Sequence, residues 1–210
     1  MKGAIFDMDG TLVDSMHYWC KAFINKMDEE NVPYPDDVMN IITPMGVKMC
    51  CEYMHNELGH PKTPEVIYKE IEDAMIEEYA SNIPTKPYAV EYLKKLKEQG
   101  IKMCVFSAST HRMIEASAKK WGYFDLMEFV ISCEEIGISK SNPEVFKVVA
   151  EKMGLQIEDV TIFDDNEIAV KSAAKSGAKV VAVYDKAAEE YEEELKEVAD
   201  CYIYSFKELI

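Results

Sequence analysis

Apolar residues fall in this chain in two distinct patterns. Residues 3–6, 101–106, 129–131, 160–163, 180–183 and 201–203 are apolar at nearly every position and rich in Val, Ile and Phe. Strands covered on both faces have this composition, and such strands belong to parallel sheets. Between most of these runs apolar positions recur every three or four residues, as at Tyr88, Tyr92, Leu93 and Leu96, or at Phe146, Val149, Ala150 and Met153. That is the period of an amphipathic helix. Strands alternating with helices predict βαβ units. Asn142-Pro143 reads as a helix start, and Gly100, Gly154 and Gly177 read as the residues that follow helix ends.

Residues 15–84 break the alternation. They hold no strand-like run but carry helical patterns over 16–27, 47–58 and 65–79, punctuated by Pro33, Pro35, Pro44, Pro61 and Pro84. The expectation is an α/β protein. Residues 1–14 and 85–210 form a Rossmann-like core, a parallel sheet with helices on both faces, and 15–84 form a helical cap inserted after strand 1. The acidic stretch 187–199 is expected to be a single helix with Glu189, Glu190, Glu192, Glu193 and Glu194 facing solvent. No internal repeat is visible.

A chain of 210 residues can bury roughly 70% of its unfolded surface and needs no disulfide or structural metal to hold a core. Its 39 acidic against 23 basic residues give a net charge of -16, which repels nucleic acid and anionic membrane surfaces alike. The six cysteines form no C-x-x-C pair and several lie in apolar runs, as expected of a reduced, cytoplasmic chain. Asp7 interrupts the first apolar run, so no secretory leader is expected, and no run approaches the ~20 residues of a membrane span. A monomer is expected.

The polar residues of interest stand where strands end. Asp7-Met8-Asp9-Gly10-Thr11 follows the first run, and carboxylates at i and i+2 share one side of an extended chain. An isolated pair of this kind reads first as an exposed turn. Ser107-Ala108-Ser109-Thr110 follows the 101–106 run and precedes a helix whose free amides can hold an anion. Lys140 precedes the helix that starts at Asn142-Pro143, and Asp164-Asp165-Asn166 ends the 160–163 run. In an open α/β sheet these ends border one crevice. Four carboxylates there would bring a charge of minus four; a magnesium ion and Lys140 would reduce it to minus one. The cation would also bridge a phosphoryl group to the acids.

With these motifs in this order the chain resembles the haloacid dehalogenase superfamily, in particular its capped phosphatase and β-phosphoglucomutase-like branch. Asp7–Thr11 matches the D-x-D-G-T motif, Ser107 the strand-end Ser/Thr, Lys140 the lysine, and Asp164-Asp165 the terminal acidic pair. One departure is Asn166-Glu167-Ile168-Ala169 where the family often has S-x-x-G. The resemblance implies that Asp7 is the nucleophile forming an aspartyl phosphate and that Asp9 is the acid and base. It implies Mg2+ held by Asp7, Asp9 through its carbonyl, Asp164 and Asp165. It further implies phosphoryl oxygens held by Met8, Asp9, Ser107, Ala108 and Lys140, with the cap closing over a small phosphorylated metabolite.

A phosphatase is the preferred activity, with a sugar phosphomutase as the alternative. A receiver-like signalling module uses a similar residue set in another order and lacks the helical insertion. The resemblance places a substrate loop near Gly46 and Lys48, where a surface lysine is the competing reading. Arg112 stands about one turn after Ser107, within reach of the crevice, and reads first as a surface residue; the four histidines are assigned no role, and Tyr18, Trp19 and Phe23 read as packing residues.

Overall fold

The computed structural model describes residues 1–42 and 45–210, so the break expected at Pro44 lies outside the described residues. The chain forms two compact units, Met1–Ser15 with Ile83–Ile210, and Met16–Asn82. Strand β1 (Gly3–Phe6) is followed, among the described residues of the second unit, by helices α1 (Met16–Glu29), α2 (Val38–Ile42), α3 (Val47–Asn56) and α4 (Pro64–Ser81). The first unit resumes with α5 (Ala89–Glu98), β2 (Lys102–Ser107), α6 (His111–Trp121), β3 (Phe129–Ser132), α7 (Cys133–Ile136) and α8 (Glu144–Lys152). It closes with β4 (Val160–Asp164), α9 (Glu167–Ser176), β5 (Lys179–Val183), α10 (Glu192–Val198) and β6 (Cys201–Ile203).

The sheet is parallel throughout, in the order β3-β2-β1-β4-β5-β6. From β1 the chain winds outward to β2 and β3 on one side and to β4, β5 and β6 on the other. The order therefore reverses between β1 and β4, and in open α/β sheets that point opens the crevice at the strands' carboxyl ends.

Alternate residues of each strand feed two cores. Ile5, Cys104, Phe106, Ile162, Val180 and Ala182 pack with Val145, Phe146 and Val149 of α8, Val170 and Ala173 of α9, and Leu195 of α10. On the opposite face Phe6 stacks on Phe163 with ring centroids 4.5 Å apart, and Tyr92 of α5 and Phe206 complete the cluster. An aromatic pair of this kind contributes about 0.5–1.5 kcal/mol beyond its buried area.

In the second unit Ile67, Ile71 and Met75 recur at four-residue spacing on α4 and are fully buried. Trp19 donates from Nε1 to the Tyr79 hydroxyl at 3.0 Å, in keeping with a packing role. His60 is buried, accepts from the Lys62 amide at Nδ1 (3.2 Å) and places Nε2 3.3 Å from the Lys26 carbonyl.

The acidic segment departs from the expected single helix. Lys186–Tyr191 forms 3-10 turns and only Glu192–Val198 is α-helical. Five glutamates in six positions place like charges three and four residues apart, which disfavours one continuous α-helix. No helix among the described residues is long and apolar enough to cross a membrane.

Candidate active site

The register of β1 against β4 brings the first two acids together. Phe6 pairs with Phe163, and the Asp7 amide donates to the Phe163 carbonyl at 2.9 Å, so the next residue of each chain, Asp7 and Asp164, leaves the sheet side by side. By strand alternation both continue the face occupied by Ile5 and Ile162, which is the face covered by α8. Lys140, just ahead of α8, meets them there: its Nζ donates to Asp7 Oδ1 at 2.6 Å and to Asp164 Oδ2 at 2.7 Å. It also lies 5.4 Å from the centre of the Phe106 ring.

Asp165 completes a triad in which one oxygen of each of Asp7, Asp164 and Asp165 lies within 4.8 Å of the others. All three side chains are buried. Thr11 Oγ1 donates to Asp165 Oδ1 at 2.7 Å, fixing the carboxylate from the loop after β1. Gly10, at φ +80°, passes so near that a Cβ there would stand 2.3 Å from Asp165 Oδ2. The departure at Asn166 leaves the helix start intact, because the Asn166 side chain accepts from the amides of Ile168 and Ala169 at the head of α9.

Burial pushes the Asp7 carboxyl up to about 7; Lys140 opposes this, while Asp164 and Asp9 add to it. Asp165 is raised for the same first reason, then by Asp7 and Asp164, against the Thr11 hydrogen bond. Burial works against the Lys140 ammonium, but Asp164 and Asp7 outweigh it and hold the proton on. Three carboxylates and one ammonium sum to minus two. A hard divalent cation balances that sum, and an all-oxygen donor set suits it, so the residues fit a magnesium-like ion.

Asp9 diverges from the triad. The chain turns tightly after Asp7, the Met8 carbonyl accepting from the Leu12 and Val13 amides at 2.9 and 3.0 Å while the Met8 side chain is fully buried. The turn carries the Asp9 carboxylate to a serine-lined wall. Ser15 donates to Oδ1 and Ser109 to Oδ2, each at 2.6 Å, and Ser107 Oγ stands 3.5 Å from Oδ2. Two carboxylates at i and i+2 are thus not presented to one cation, because the extended chain ends at Phe6; a role for Asp9 as metal ligand rests on its main chain.

Ser107 also accepts from the Ser109 amide at 3.1 Å, and Ala108 between them is exposed. Thr11, Ser15 and Ser109 are the contacts that motif reading left without a role. Thr11 and Ser109 stood inside quoted motifs, whereas nothing local marks Ser15 as a partner of Asp9. Gly46 and Lys48 belong to the second unit, both exposed, where Lys48 lines a cavity of about 260 Å³ with Cys51, Glu52, Pro64, Glu65 and Tyr68. Arg112 is exposed on α6.

Residues 4–183 match the family model of the haloacid dehalogenase-like hydrolases. The chain belongs to this family and is an enzyme of its phosphoester-hydrolysing or phosphomutase kind. It is 28% identical to hexitol phosphatase B of Escherichia coli, over 85% of this chain and 82% of that protein. It is 23% identical to the phosphorylated carbohydrates phosphatase of Thermotoga maritima, over 84% and 82% respectively. The crystal structure of CbbY from Rhodobacter sphaeroides in complex with phosphate superimposes with a TM-score of 0.85 at 17% identity, covering 100% of this chain and 96% of that one.

Proposed function

We propose that the chain is a magnesium-dependent phosphatase that removes the phosphoryl group from a small phosphorylated polyol or sugar through an aspartyl phosphate on Asp7. The observation that carries this reading is the separation of the two motif acids. Asp7 shares Lys140 with Asp164 inside a charged triad, while Asp9 stands apart on a wall of hydroxyls. This separation supports a reading in which Asp7 meets phosphorus and Asp9 the leaving oxygen.

In the first step an Asp7 oxygen forms a bond to phosphorus, the bond from phosphorus to the leaving oxygen breaks, and a proton passes from Asp9 to that oxygen. In the second a water gives a proton to Asp9 and its oxygen bonds to phosphorus. The bond to Asp7 then breaks, releasing phosphate and restoring the carboxylate. Lys140 and Ser107, with the Ala108 amide, are the chain's own groups for the phosphoryl oxygens. Asp7, Asp164 and Asp165, with the Asp9 carbonyl, are the residues that would hold Mg2+. When bound, the ion supplies positive charge that lets an anionic substrate approach the acids. The names of the relatives support a carbohydrate or polyol ester as the substrate class. A monomer in the cytoplasm belongs to the same reading, whose six free cysteines fit a reducing compartment.

The test is a panel of hexitol and hexose phosphates assayed with Mg2+ and with excess chelator. Phosphate released in step with substrate consumed, and only with the cation, is the expected outcome. Turnover in chelator would remove the metal from the reading, and isomerised sugar phosphate without matching phosphate would replace hydrolysis by mutase chemistry.

A further inference from the structure

An ion pair of the first unit, part-buried between Lys86 and Asp185, has no part in the proposed chemistry. Lys86 lies where the chain re-enters this unit: the Asp14 amide donates to the Pro84 carbonyl at 3.0 Å, Val13 pairs with Thr85 in an antiparallel bridge, and the Lys86 amide donates to the Leu12 carbonyl at 2.9 Å. Residues 12–14 and 84–86 therefore form a short two-stranded ribbon that leads straight out of the Asp7–Thr11 loop. The Lys86 side chain ties this ribbon to the carboxyl end of β5. Its Nζ donates to Asp185 Oδ2 at 2.6 Å and to the Tyr184 carbonyl at 3.1 Å.

Both side chains are removed from water, with exposures of 14% for Lys86 and 3% for Asp185. The second Asp185 oxygen accepts from the Ala187 amide at 2.8 Å, so each end of the bridge is fixed. Burying two charges is costly, and apolar residues of similar volume can hold two segments together at least as well. What the pair adds is a defined direction and distance. The residue that follows the outgoing arm of the ribbon is Ser15, which donates to Asp9 Oδ1 at 2.6 Å.

We propose that Lys86 and Asp185 are positioning residues for Asp9: their ion pair anchors the ribbon to the end of β5 and so sets where Ser15 holds the Asp9 carboxylate. This inference rests on the reading of Asp9 as the proton donor to the leaving oxygen.

Proton donation matters for an alkoxide leaving group and little for p-nitrophenolate, so comparing kcat/KM for glycerol phosphate and p-nitrophenyl phosphate isolates the duty of Asp9. In the full-length enzyme with Mg2+, Lys86→Met and Asp185→Asn are each expected to lower kcat/KM for glycerol phosphate by about tenfold or more. The aryl ester should change by less than about threefold. Lys86→Arg should restore the wild-type ratio, and the Lys86→Met/Asp185→Asn double variant should be no worse than either single one.

If Lys86→Met does not fold, Asp185→Asn still reads the same ratio, since it keeps the side chain's volume and an acceptor for Ala187. Asp9→Asn is the control. If it lowers both esters equally, the role of Asp9 fails and the positioning inference with it. If it selects against glycerol phosphate while the Lys86 and Asp185 variants lose both esters equally or neither, the positioning inference alone is overturned.

Discussion

The carboxylates of Asp7 and Asp9, two positions apart in the chain, are held by different partners of opposite character. Asp7 accepts from a buried ammonium, at 2.6 Å from Lys140, and shares that cation with Asp164. Asp9 accepts from the neutral hydroxyls of Ser15 and Ser109. The Lys140 ammonium opposes, without overcoming, the burial and neighbouring acids that raise Asp7, whereas the hydroxyls at Asp9 carry no charge. The difference in partners is the feature on which the proposed division of labour between Asp7 and Asp9 rests.

Replacing Asp7 by Asn should lower turnover by about 10⁴-fold or more, the scale on which loss of a covalent nucleophile is felt. The fold should survive, because one buried negative charge is removed while Lys140 keeps Asp164. Phosphate release and a thermal melt on the same preparation check both halves. Activity near that of the wild type would move the nucleophile elsewhere.

Lys140→Ala should destabilise the protein as well as inactivate it. The Lys140 side chain is 12% exposed and those of Asp7 and Asp164 9% and 2%, so the substitution strands two buried acids without their shared cation. Breaking a buried pair by removing one partner costs about 3–5 kcal/mol, readable as a lowered urea midpoint in chelator. An unchanged midpoint would mean that solvent reaches the acids.

Stability of the chelated protein should depend on pH through these acids. Asp7 is pushed up to about 7 in the folded chain from an ordinary 3.8. Between these values the folded state binds more protons than the unfolded one, so stability falls as pH rises through the window and stays at the lower level above it. Asp165, also raised, contributes with the same sign. The urea midpoint in chelator is therefore expected to be higher at about pH 5 than at about pH 8, and added Mg2+ should recover stability at the upper pH. General self-repulsion of the acidic chain has the same sign, so Asp7→Asn is the control. Its slope must be shallower, and an equal slope would assign the effect to overall charge.

Much of the architecture could be read from local pattern because the driving forces are local in sequence. The sheet strands other than the edge strand β6 are apolar at nearly every position since both faces are covered, and Asp7, Ser107, Lys140, Asp164 and Asp165 all stand just beyond or between such runs. The capping box that starts α7, Ser132 with Glu135, emerges only in the structure. The partners of Asp9 were not legible. Ser109 is 100 residues away from it in sequence, and Ser15 meets it only because the chain turns at Met8 and Gly10 instead of continuing extended. The Lys86–Asp185 pair spans 99 residues, and no spacing rule connects them.

Gly10 joins the turn to the cation site, and its substitution separates the two. At φ +80° the residue occupies the left-handed region, where an L side chain costs about 1–2 kcal/mol. In Gly10→Ala the new Cβ would also fall 2.3 Å from Asp165 Oδ2 and 2.6 Å from Asp165 Cγ. Asp165 cannot yield freely, because Thr11 Oγ1 holds its other oxygen at 2.7 Å. Either the loop carrying Asp7 moves or Asp165 leaves the triad, and in both cases the three oxygens no longer converge. The expected result is a loss of Mg2+ affinity of about tenfold or more, equivalent to about 1.4 kcal/mol. Direct titration with Mn2+ followed by its electron spin resonance signal would measure the site without relying on turnover. The urea midpoint in chelator should fall only by the backbone cost, since moving Asp165 away from Asp7 and Asp164 relieves repulsion. A Gly10→Ala protein that loses stability but binds the cation as tightly as the wild type would confine this glycine to the turn and leave Asp165 free to adjust around it.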